Sequence, residues 1–150
     1  MTDIDSSSDF TRPLSVERFE ADRATALKRG FTIVDSDDYT LTLDLDGPEA
    51  GARLALVFER ASELFGLTIT ERWPSKSGAA GHEHVVISVT DHGPLDATTR
   101  IAIQVILGSD PVRELLALKR LENGVAEPSQ LFKPRRVDPF IAEHPEVFGS

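Results

Sequence analysis

Tyr39-Thr40-Leu41-Thr42-Leu43-Asp44-Leu45-Asp46, followed at once by Gly47-Pro48, sets the reading of this chain. Strand side chains alternate between faces, so Leu41, Leu43 and Leu45 share one side while Thr40, Thr42, Asp44 and Asp46 share the other. One sheet face is therefore apolar and suited to covering by helices, and the opposite face carries two carboxylates pointing the same way. Neighbouring carboxylates repel unless a cation lies between them, and hard divalent ions such as Mg²⁺ and Mn²⁺ favour oxygen ligands. Gly47-Pro48 ends the strand, and proline suits the first turn of a helix.

Working outward, Ser15 caps a helix running to about Arg29, with Val16, Phe19, Ala26 and Leu27 on its stripe and Gly30 stopping it. Phe31 to Val34 reads as a strand. The cluster Asp35-Ser36-Asp37-Asp38 is turn chemistry, which predicts an antiparallel hairpin between that strand and Tyr39 to Asp46. Downstream of Pro48, Leu54, Val57, Phe58, Ala61, Leu64 and Phe65 recur at helical spacing until Gly66. Leu67 to Trp73 is a third strand, Pro74 to His82 a loop, and His84 to Thr90 a fourth strand, the last two pairing antiparallel. A helix from about Asp96 to Leu107 turns Ile101, Ala102, Val105 and Ile106 inward, and Asp110-Pro111 starts another that runs to Asn123-Gly124. Gln130-Leu131-Phe132-Lys133 adds an edge strand. The predicted fold class is α+β, a mostly antiparallel RRM-like or primase-like sheet with helices on one face and the other face open.

At 150 residues and 40% apolar composition the chain supports one compact core. The expected organisation is a disordered segment over 1–12, a single domain over 13–133 and an irregular tail over 134–150. The absence of cysteine excludes disulfides, thiolate metal sites and cysteine nucleophiles, and points to a cytoplasmic protein. No run approaches the ~20 apolar residues of a membrane span. A net charge of −9 argues against a broad grip on nucleic acid, because such binding draws on many Lys/Arg-phosphate contacts. The basic residues that do cluster are Lys133, Arg135 and Arg136, preceded by Arg113, Lys119 and Arg120.

The second motif is Ser77-Gly78-Ala79-Ala80-Gly81-His82-Glu83-His84. The period of two places His84, Val86, Ser88 and Thr90 on one face of the fourth strand and Val85, Ile87 and Val89 on the other, buried one. His84 then stands beside Asp44 and Asp46 if the two strands are neighbours. Gly78 and Gly81 allow backbone N–H groups to turn toward an anion.

Together these residues resemble the catalytic core of the archaeo-eukaryotic primase superfamily, the primase-polymerases, over residues 31 to 90. In that family an Asp-x-Asp strand, a helix and a Ser-Gly-x-x-Gly-x-His segment follow one another, and Ser77, Gly78, Gly81 and His84 match the last with one residue of slack. The resemblance implies that Asp44 and Asp46 are catalytic and hold Mg²⁺ or Mn²⁺. It implies that Ser77, Gly78, Gly81 and His84 hold nucleotide phosphates, with Lys76, Arg100 or Arg113 as auxiliary cations. The family's third acidic ligand has two candidates here, Asp91 and Asp110; Asp110 also suits a helix cap and Asp91 a turn. The activity implied is metal-dependent nucleotidyl transfer in DNA replication or repair, possible in a phage or mobile element, with a nucleoside triphosphate, a DNA or RNA primer-template and other replication proteins as partners. The alternative is a degenerate primase-like domain that binds a nucleotide, a DNA end or a protein without turnover.

Two further readings stay open beside these. His82-Glu83-His84 is similar to the paired-histidine motif of rolling-circle replication nucleases, which would need Tyr39, the single tyrosine, as nucleophile. Trp73 reads as a core or edge aromatic rather than a base-stacking platform.

Overall fold

The computed structural model describes residues 14–75 and 81–134. The expected disorder over 1–12, the loop residues Lys76, Ser77 and Gly78, and the tail from 135 onward lie outside them. The described elements are α1 (Val16–Lys28), β1 (Phe31–Asp35), β2 (Thr40–Asp46), α2 (Pro48–Phe65), β3 (Leu67–Pro74), β4 (His82–Val89), α3 (Ala97–Ile106), α4 (Pro111–Glu122) and β5 (Gln130–Pro134). The fold is α+β, as the periodicities predict.

β2, β4 and β3 form one antiparallel sheet in that order, so β4 inserts between the two strands that α2 connects. The leucines of β2 are fully buried, and with Val85 and Ile87 of β4 they meet Leu54 and Ala61 of α2 and Ile103 of α3. This is the main core. Helix ends follow the local chemistry: Ser15 accepts a hydrogen bond from the Arg18 N–H at 3.1 Å, and Asp96 and Asp110 cap α3 and α4.

The expected β1–β2 hairpin does not form. β1 pairs antiparallel with β5, placing Phe31 opposite Pro134 and Asp35 opposite Gln130. The turn chemistry at Asp37 is real, since its carboxylate accepts the Tyr39 N–H at 2.9 Å, but the turn passes the chain from one sheet to another. The reason lies on the free edge of β2, which α3 and α4 already occupy. Gln104 Oε1 accepts the Thr42 N–H at 3.0 Å and Ser109 Oγ accepts the Asp44 N–H at 3.0 Å. The Asp44 carbonyl accepts the Asp110 N–H at 2.8 Å, and the Thr42 carbonyl accepts Arg113 Nη1 at 2.6 Å. With its edge groups satisfied, β2 has no use for another strand there.

The second sheet face is also less open than expected. The β1–β5 ribbon packs on it, bringing Val34 and Leu131 against Trp73 and Val86, and Thr42 is wholly buried. On α3 the inward face differs as well. Ile101 is buried, but its companions are Arg100, Ile103 and Gln104, while Val105 and Ile106 are exposed and so is Ala102. On α1, Phe19 and Ala26 are buried, whereas Val16 and Leu27 are exposed.

Candidate functional site

The antiparallel register of β2 and β4 sets Asp44 directly opposite His84 and Asp46 opposite His82. Both pairs share the sheet face that the period of two assigned to them. His82 Nδ1 lies 2.8 Å from Asp46 Oδ1, and His84 Nε2 lies 3.4 Å from Asp44 Oδ1. Burial by itself raises the Asp44 pKa. The His84 contact, with the nearby charges of Arg113 and His82, outweighs that effect and leaves the carboxyl below its ordinary value.

His84 is packed edge-on against Trp73, with ring centroids 5.5 Å apart, and its Nδ1 is buried without a partner among the described residues. One ring nitrogen therefore faces Asp44 and the other faces the interior. That arrangement makes His84 a brace for Asp44 and keeps its other ring nitrogen buried. Trp73 is itself a core residue, capped by Lys133 Nζ at 5.2 Å from its ring centre, so it is no open platform for a base.

Asp44 and His84 form the floor of a cleft of about 470 Å³. This lies within the range of small-molecule sites. α1 lines the cleft with Asp22 and Thr25, and its C-cap with Arg29; β1 and β5 add Phe31 and Phe132, whose rings are 6.2 Å apart; α4 contributes Arg113 and Arg120. These residues come from segments far apart in sequence, and most carry no motif, so the sequence reading did not single out Arg29, Phe31 or Phe132. Arg120 was visible only as part of a basic stretch.

Of the auxiliary cations expected from the sequence, Lys76 lies outside the described residues, and Arg100 and Arg113 have other roles. Arg100 is buried and grips Glu127 with both terminal nitrogens at 2.7 and 2.9 Å, while its Nε donates to the Leu95 carbonyl at 2.8 Å. Arg113 lines the cleft, but its terminal N–H groups donate to the Thr42 carbonyl and hydroxyl, to Glu114 and to the Gln130 carbonyl. It is a clamp joining α4, β2 and β5. Gly81, expected to cradle phosphate, has φ +79°, and a Cβ on it would stand 2.6 Å from the Pro48 nitrogen. Its lack of a side chain is explained by the close packing of the β4 entrance on the Gly47-Pro48 turn.

A metal centre at Asp44 and Asp46 needs a third ligand. Asp91 sits beside Gly66 at the other end of β4, roughly 20 Å along the strand from His84. Asp110 accepts the Val112 N–H at 3.1 Å as the cap of α4. Among the described residues no three His, Asp or Glu side chains converge as a metal site, and each carboxylate of the pair already faces an imidazole. The residues described thus do not fit the implied Mg²⁺ or Mn²⁺. The tyrosine nucleophile reading fails on distance too, since the Tyr39 carbonyl bonds Val89 at the end of β4 opposite His82.

No protein-family model, curated protein or solved structure matches the chain. Among the described residues no helix is long and apolar enough to cross a membrane.

Proposed function

We propose that the chain is a nucleotide-binding domain, closer to the non-catalytic form of the primase-like reading than to an active nucleotidyltransferase. The observation that carries this is the composition of the cleft. In a chain of net charge −9, one concavity is lined by three arginines, Arg29, Arg113 and Arg120, against two carboxylates, Asp22 and Asp44, together with the rings of Phe31 and Phe132, 6.2 Å apart. Guanidinium groups suit phosphate and aromatic rings suit a base, and the two together suit a nucleotide better than either a bare anion or an apolar ligand. Metal-assisted transfer would require a carboxylate beyond Asp44 and Asp46, and no step is assigned to it.

The test is calorimetric titration with ATP in the presence of Mn²⁺ and again with EDTA, on the parent protein and on Arg29→Glu. Binding should survive EDTA and weaken about tenfold or more in the variant, the effect of losing roughly one charge-assisted contact. A parent protein that binds no ATP in either condition overturns the proposal. Binding that needs Mn²⁺ and is lost in Asp44→Ala, accompanied by primer extension, would restore the nucleotidyltransferase reading.

A further inference from the structure

Asp44 has a feature that the nucleotide reading leaves unused. Its Oδ1 faces His84, while its Oδ2 has no hydrogen-bond donor among the described residues although the residue lines the cleft. The side chain is 32% exposed and lines the cleft, so a ligand there can reach the carboxylate. An ionised carboxylate only accepts hydrogen bonds, and it repels phosphate. Whatever part of a ligand rests on Asp44 must therefore carry N–H or O–H groups and lie apart from the phosphates.

The cations allow such a separation. Asp44 feels the positive charge of Arg113, and Arg120 lies two turns further along α4, a rise of about 10 Å from Arg113 at 1.5 Å per residue, lining the same cleft. A cleft of about 470 Å³ lined by both the carboxylate and Arg120 can take a ligand with a hydroxyl-bearing part at one and a phosphate part at the other. A ribose diol presents two O–H donors to one carboxylate, the same chemistry by which an acidic side chain holds the ribose in dinucleotide-binding folds.

We infer that Asp44 is a specificity residue that reads the ribose hydroxyls, making the cleft selective for ribonucleotides over deoxyribonucleotides. This rests on the nucleotide reading above. It also gives Asp44 a role that needs no metal, with His84 as its positioning partner.

The experiment compares dissociation constants for ATP, dATP, UTP and dUTP in EDTA, on the parent protein and on Asp44→Ala. In the parent each ribonucleotide should bind about tenfold tighter than its deoxy counterpart, because the missing hydroxyl leaves a charged acceptor unpaired. In Asp44→Ala the ribo/deoxy ratio should fall below about twofold. The ratio is the readout because removing a negative charge also strengthens polyphosphate binding at large. Equal affinity for ATP and dATP in the parent overturns the inference while leaving nucleotide binding intact. A preference for ATP over UTP with no effect of the 2′-hydroxyl also overturns it, assigning Asp44 to the base amine. Failure of all four to bind overturns the nucleotide reading itself. Should Asp44→Ala misfold, Asp44→Asn is read in its place, and a ribo/deoxy ratio equal to the parent's overturns the assignment to Asp44.

Discussion

Glu114 shows how one residue can hold two parts of the molecule in place. It is 1% exposed, and its carboxylate accepts from Gln104 Nε2 at 2.9 Å, Ser109 Oγ at 2.6 Å and Arg113 Nη1 at 2.6 Å. Gln104 and Ser109 in turn accept the edge N–H groups of Thr42 and Asp44. Removing the carboxylate takes the ion-pair partner from the part-buried Arg113 guanidinium and an acceptor from two buried polar side chains at once. Glu114→Ala should therefore lower stability by about 3–5 kcal/mol, the usual consequence of breaking a buried pair by deleting one partner. Urea unfolding monitored by circular dichroism checks this, with a loss under about 1 kcal/mol counting against the network. The motif residues Asp44 and His84 were legible in the sequence because strand periodicity alone decides their face. Glu114 was not, since nothing in Pro111-Val112-Arg113-Glu114 says that the acid turns inward while Val112 stays half exposed.

At the scale of elements, period and caps located the helices and strands to within a few residues, because those signals are local. Partnering was another matter. Two polar residues of α3, Arg100 and Gln104, are buried because the sheet edge and the β5 approach need their hydrogen bonds, so the face chosen by hydrophobicity was wrong for Val105 and Ile106. The β4 entrance gives a sharp test of element packing. Gly81 and Gly30 both have positive φ, +79° and +89°, but only Gly81 has backbone within 3 Å of a built Cβ. Gly30→Ala should cost about 1 kcal/mol from conformation alone, and Gly81→Ala clearly more, because the Gly47-Pro48 backbone must also move. Thermal unfolding of the two variants side by side measures the difference, and equal losses would mean that the approach of β4 to the β2–α2 turn is not tight.

For the whole molecule, charge separates a cleft ligand from a polymer. A chain of net charge −9 repels a long polyanion over most of its surface, while a nucleotide bound in the cleft as proposed would meet Arg29 and Arg120 there. Salt at 0.15 M screens charges beyond about 8 Å and leaves such contacts largely in place. Single-stranded DNA should accordingly show no tight binding near physiological salt, whereas ATP affinity should change less than about threefold between 0.05 and 0.2 M salt, far from the steep dependence of a protein that contacts many phosphates. Fluorescence anisotropy of labelled oligonucleotides and calorimetry with ATP give the two curves; tight, steeply salt-dependent DNA binding would point to a nucleic-acid surface instead. By itself the sequence determined the α+β class, the apolar and polar faces of β2 and β4, and the helix ends, because each follows from alternation or capping among near neighbours. Only the tertiary structure decided that β1 joins β5, that Arg100 and Arg113 are internal clamps, and that Arg29, Phe31 and Phe132 line one cleft with Asp44. Those outcomes turn on which distant groups satisfy the backbone edge of β2 and cover its second face, a competition among long-range partners that no local pattern records.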